Sequence, residues 1–162
     1  MQSGGRLSLI VAGVAVIVVF STATATATAK PSPKAAFNAR VTAIGTQAQH
    51  ALLVLPAASA SPNPTEAAVT AAQLQAIYQR VARRMAALTP PKAIEADFKI
   101  LLASYQLAAR YAGAWRDAIL HATAQQAADA SNKLYLNSEN VRAGSAMARM
   151  SVKGYYFGTF FH

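Results

Sequence analysis

Ile94, Phe98, Leu101, Tyr105, Ala108, Ala112, Trp115 and Ile119 recur at alternating steps of four and three, the spacing that lines them up on one face of an α-helix. A helix from Lys92 to His121 would be about 45 Å long at ~1.5 Å per residue. An apolar face of that length is buried only against helices of comparable length. The expected fold is therefore all-α: an up-down four-helix bundle with helices near 34–55, 66–88, 92–121 and 124–153, then a short aromatic tail.

The prolines set the boundaries, because a proline inside a helix removes a hydrogen bond and clashes with the preceding turn. All seven lie between residues 31 and 91, and the blocks between them read as helices. Phe37, Val41, Ile44, Ala48, Ala51 and Leu55 make the first stripe, with Ser32 and Pro33 as its start. Pro56 to Pro64 is a loop, after which Thr65 is expected to cap a second helix carrying Leu74, Ile77, Val81, Met85 and Leu88. Thr89-Pro90-Pro91 ends it, with Pro91 placed for the first turn of the third helix. Thr123 with Gln126 matches a capping box and opens the fourth, whose inward residues are read as Ala127, Ala130, Leu134, Val141, Ser145 and Ala148. Gly154 is placed to close it in a left-handed cap, with Tyr155 folding back.

Ahead of the bundle, Arg6, the apolar run Leu7–Phe20 and Ala27-Thr28-Ala29 read as a cleaved secretory signal peptide, residues 1–29. The run is shorter than the ~20 residues of a membrane-spanning helix. An uncleaved anchor, lengthened by the Thr/Ala repeat from Thr22 to Ala29, is the alternative. Residues 30–162 then form a single domain, secreted or periplasmic.

The sequence has no cysteine, which removes disulfides, thiolate metal sites and cysteine nucleophiles. Without Arg6 it carries 14 basic and 6 acidic side chains, a net charge of +8. Such a protein is drawn to anions. Outside the cytoplasm these are lipid head groups and cell-wall polymers, which places nucleic acid behind them as a partner.

No spacing specifies a reaction. His50, His121 and His162 lie far apart; Asp117 and His121, four apart, fit a helix terminus better than a metal pair, and Met147, Met150 and His162 do not complete a soft-metal ligand set. Glu95 with Lys99, Asp129 with Lys133, and Glu139 with Arg142 are spaced as ion pairs on solvated helix faces. The expectation is no enzyme, no catalytic residue, no metal and no cofactor.

The densest charge feature is Arg80, Arg83 and Arg84, with Lys92 across the Pro-Pro turn; it reads either as an anion-binding end of the bundle or as cations at the helix terminus they favour. Arg142, Arg149 and Lys153 add a basic stripe on the fourth helix. The tail Tyr155–Phe161 holds five aromatics and must dock on its own bundle, a lipid interface or a second copy of the chain. The leading expectation is a non-enzymatic protein binding an anionic envelope surface or a protein partner through its basic faces. Its rivals are a structural, self-associating bundle and an enzyme or metal carrier with no sequence signature.

Leu88-Thr89-Pro90-Pro91, then Ala96-Asp97-Phe98, and Gly154-Tyr155 near the end resemble a loose group of small secreted or lipid-anchored bacterial helical proteins of unassigned function. Members carry a histidine near the position of Asp97, and many begin with a lipidated cysteine; this chain has neither. The resemblance implies a helical hairpin and an extracytoplasmic address, and it brings no activity or site residues.

Overall fold

The computed structural model describes residues 30–56 and 63–157; residues 1–29, on which the signal-peptide expectation falls, most of the first loop and the end of the tail lie outside the described residues. The described residues form an all-α bundle without strands. Its helices are α1 Pro33–Leu53, α2 Pro64–Ala86, α3 Glu95–His121, α4 Ala124–Tyr135 and α5 Ser138–Val152, with a 3-10 turn, Lys92–Ile94, ahead of α3. The central helix α3 packs against α2, α4 and α5, and α1 lies along α2.

Ser32 caps α1 as its sequence predicts, its hydroxyl accepting from the Ala35 N–H at 3.2 Å with Pro33 behind it. The start of α2 differs. Asn63, rather than Thr65, is the cap: its Oδ1 accepts from the Thr65 N–H at 2.9 Å, and Pro64, whose φ already suits a helix, takes the first position. The Pro-Pro turn also delays α3. Pro91 stays extended at ψ 141°, and Ile94, at φ −125° and ψ 5°, separates the 3-10 turn from the helix proper. Thr123 and Gln126 form the expected reciprocal capping box.

The fourth predicted helix is two helices. Asn137 Nδ2 donates to the carbonyls of Lys133 and Leu134, at 2.9 and 3.1 Å, closing α4; its Oδ1 accepts from the Asn140 N–H at 3.0 Å, opening α5. Asn140 Nδ2 adds bonds to the Leu134 and Tyr135 carbonyls, both at 3.2 Å. The break resets the register. Val141, Ser145 and Ala148, expected inward, face solvent, Val141 at 72% exposure, while Ala143, Ala146 and Met150 are buried. Leu134 is buried as expected.

At the end of α5, Gly154 has φ +76° and donates to the Ser151 carbonyl at 2.7 Å, and the Tyr155 N–H reaches the Met150 carbonyl at 3.0 Å. This pair of bonds satisfies the last carbonyls of the helix and turns the chain back. Tyr155 and Phe157 thereby enter the bundle's own core, while Tyr156 stays 61% exposed.

The core has two parts. The larger gathers Phe37, Val41 and Ile44 of α1, Val81 and Met85 of α2, Ile94, Phe98, Leu101 and Tyr105, and Met150, Tyr155 and Phe157 at the chain's end. The smaller joins Ala71 and Leu74 to Ala108, Ala112, Trp115 and Leu134. Leu52, Leu55 and Tyr78 border both.

Candidate functional site

The structure divides the predicted basic cluster. Arg80 and Arg84 face the α1 side of α2 and border a small depression with Gln47, whose Oε1 accepts a hydrogen bond from Arg84 Nη1. Arg83 faces the other way. It lines a shallow groove of about 670 Å³ between α2 and α3 with Arg110 and the amides of Gln75, Gln79 and Gln106. Lys92 is exposed in the 3-10 turn. Among the described residues, none of Arg80, Arg83, Arg84, Lys92 and Arg110 forms an ion pair with a carboxylate.

The carboxylates are engaged elsewhere. Glu95 pairs with Lys99 at 2.7 Å and Glu139 with Arg142 at 2.8 Å, as their spacing predicts. Asp129 instead accepts from Gln125 Nε2 at 2.9 Å, and Asp117 takes its neighbour Arg116 at 2.7 Å rather than His121. Among the described residues, no three His, Asp or Glu side chains meet as a metal site. Met150 lies fully buried in the core.

Asp97 is the buried carboxylate, 7% exposed, and it ties down the chain's end. Arg149 reaches its Oδ1 through Nε at 2.8 Å and Nη2 at 2.7 Å, and Lys153 Nζ lies 3.6 Å from Oδ2 while donating to the Ala93 carbonyl at 2.7 Å. Lys34 donates to the Lys153 carbonyl at 2.8 Å and sits over the Tyr155 ring; Asn38 Nδ2 donates to the Gly154 carbonyl at 3.0 Å. Two members of the predicted basic stripe thus serve this latch, and Arg142 is held by Glu139.

A feature that periodicity does not announce lies where α1 ends. Leu52 and Leu53 on one side and Leu134, Tyr135, Gly144 and Met147 on the other diverge, opening a cleft of about 600 Å³ floored by Leu74, Ile77, Tyr78, Tyr105 and Ala108. Its polar groups are Gln49, Asn140 and three phenols. Burial pushes the Tyr78 hydroxyl up to about 12, with Tyr135 nearby adding to the effect. Burial also raises Tyr135, and lifts Tyr105 well above its ordinary value. All three stay neutral across the physiological range, since ionising a phenol in an apolar wall forfeits its hydration.

The sequence stripes identify Tyr105 as core but do not mark Tyr78 or Tyr135, which lie beside the stripes rather than in them. No protein-family model, curated protein or solved structure matches this chain.

Proposed function

We propose that this chain is an exported, non-enzymatic up-down bundle, with α4 and α5 sharing the fourth arm, that binds an anionic polymer or lipid surface of the cell envelope. The observation that carries the reading is the groove where Arg83 and Arg110 stand among Gln75, Gln79 and Gln106 without a carboxylate. Guanidinium groups there meet anions, and the amides offer hydrogen bonds to hydroxyl-rich chains. Arg80, Arg84 and Lys92 extend the positive surface around the end of α2. Arg6 with the apolar run Leu7–Phe20 supports export. No helix among the described residues is long and apolar enough to cross a membrane.

Binding of the purified 30–162 chain to anionic vesicles and to anionic cell-wall polymer tests the reading. Each cation near an anionic surface is worth about 1 kcal/mol, so replacing Arg80, Arg83 and Arg84 with Gln should cut affinity about a hundredfold at physiological salt. The double variant Arg83→Gln/Arg110→Gln should weaken binding to the polymer more than Arg80→Gln/Arg84→Gln does. Affinity unchanged in all three variants, at low and physiological salt alike, overturns the proposal.

A further inference from the structure

We propose that the tyrosine-lined cleft is a binding site for a compact, uncharged, ring-bearing hydrophobic small molecule. This goes beyond the anionic-surface reading and uses none of its residues.

Size comes first. At about 600 Å³ the cleft falls within the roughly 300–1,000 Å³ typical of small-molecule sites. Along the bundle it is short: its floor takes one turn each of α2, Leu74 to Tyr78, and of α3, Tyr105 to Ala108. It extends instead across the bundle, from α1 to the α4–α5 corner. A compact molecule fills such a space better than an extended chain.

Charge comes second. The chain is strongly basic, yet none of the described residues lining this cleft carries a charge. A charged ligand would lose its hydration there without a partner, a cost that excludes ions. The raised phenols remain neutral hydrogen-bond donors.

The walls supply the third argument. Tyr78 and Tyr105 lie 6.4 Å apart, centroid to centroid, at 40°, and Tyr135 stands edge-on to Trp115 at 6.3 Å. Tyr105 and Trp115 are buried behind Tyr78 and Tyr135, whose accessible ring surfaces favour another ring at the offset and T-shaped distances of aromatic pairs. Gly144 leaves the opposite wall open, since a Cβ built there meets nothing within 4 Å.

The test titrates the 30–162 chain with N-phenyl-1-naphthylamine, an uncharged two-ring fluorophore, reading both its emission and that of Trp115, the sole tryptophan. Saturable binding of one probe per chain, with a change in Trp115 emission, is expected. Gly144→Phe should fill the cleft and Leu53→Glu should place a charge on its wall, each weakening binding at least tenfold with helical circular dichroism intact. Leu53 is 75% exposed, so its variant keeps the test valid if Gly144→Phe does not fold. Anilinonaphthalene sulfonate, ring-bearing but anionic, should displace the probe at least tenfold less well than uncharged naphthalene does. Any of three results overturns the proposal: no saturable binding, unchanged affinity in the folded variants, or displacement by the sulfonate or by dodecanol as effective as by naphthalene.

Discussion

Where α1 and α3 begin and α5 ends, the bundle is sealed; where α1 ends and α5 begins, it is open. At the sealed end Phe37 meets Phe98, Tyr155 and Phe157 with centroids 5.8, 6.0 and 6.4 Å apart, and the Asp97 latch holds the returning chain over them. At the open end, Ala48, Ala108 and Gly144 offer little volume, and the α4–α5 corner turns the backbone aside. The same helices build both. Aromatic volume together with polar ties closes a bundle end; small residues beside a helix break leave a cleft.

The largest effect should follow from emptying the sealed end. Phe37→Ala removes a ring shared by three others and should cost about 3–5 kcal/mol. Leu53→Ala on the cleft wall, already exposed, should change stability by no more than about 0.5 kcal/mol. Urea unfolding of both compares them, and equal losses would break the contrast.

Alkali should act through the phenols of the cleft. A tyrosine raised from 10 to about 12 on folding remains protonated in the folded chain while the unfolded chain has begun to ionise. Above pH 10 the unfolded state therefore binds fewer protons, and stability falls as pH rises. For Tyr78 the loss by pH 12 is of order 2–3 kcal/mol. Melting temperatures should hold up to about pH 10 and then drop; Tyr78→Phe, which cannot ionise, should flatten part of the drop. An identical alkaline profile in the variant would show that the phenol is as hydrated folded as unfolded.

Much of the sealed end is readable in the sequence. The stripes of α1, α2 and α3 name Phe37, Val41, Val81, Met85, Phe98 and Leu101, all buried, and Gly154-Tyr155 announces the turn back. The Asp97 latch is not readable, because Arg149 lies 52 residues away and only the packing of α5 on α3 brings them together. The open end is harder still. Reading one helix across Leu136-Asn137 carries the stripe onto Val141 and Ser145, although Asn137 and Asn140 offered the local capping signal of a break. A cleft, moreover, is a place where side chains fail to meet, and no periodicity encodes that. The basic cluster is legible as charge, yet its division between two faces depends on which helix packs on each side of α2.

Cutting the latch should weaken the sealed end less than removing an aromatic ring. Arg149→Met leaves Asp97 buried with only Lys153 at 3.6 Å, an underpaired carboxylate that should cost about 2 kcal/mol. Asp97→Asn should cost about 1 kcal/mol, since the half-exposed Arg149 regains water when freed. Hydrogen exchange at the Gly154 and Tyr155 amides should accelerate in both variants. If Asp97→Asn proves the costlier, the carboxylate is better solvated than its burial indicates.

The smallest effect has opposite signs at the two regions. Gly144 lies inside α5 with open space where a Cβ would be, so alanine there restricts the unfolded chain and favours the helix without a clash. Gly144→Ala should stabilise by about 0.5–1 kcal/mol. Gly154→Ala, in contrast, forces a side chain into the left-handed turn at φ +76° and should destabilise by about 1 kcal/mol. The Gly144 gain also separates helix propensity from cleft filling: one methyl group leaves most of the 600 Å³ open, so Gly144→Ala should raise the melting temperature while N-phenyl-1-naphthylamine affinity changes less than threefold. A stabilised Gly144→Ala variant that loses the probe as completely as Gly144→Phe would mean that the wall at residue 144 moves when the helix is stiffened, and that the cleft is a conformation of α5 rather than a fixed gap beside it.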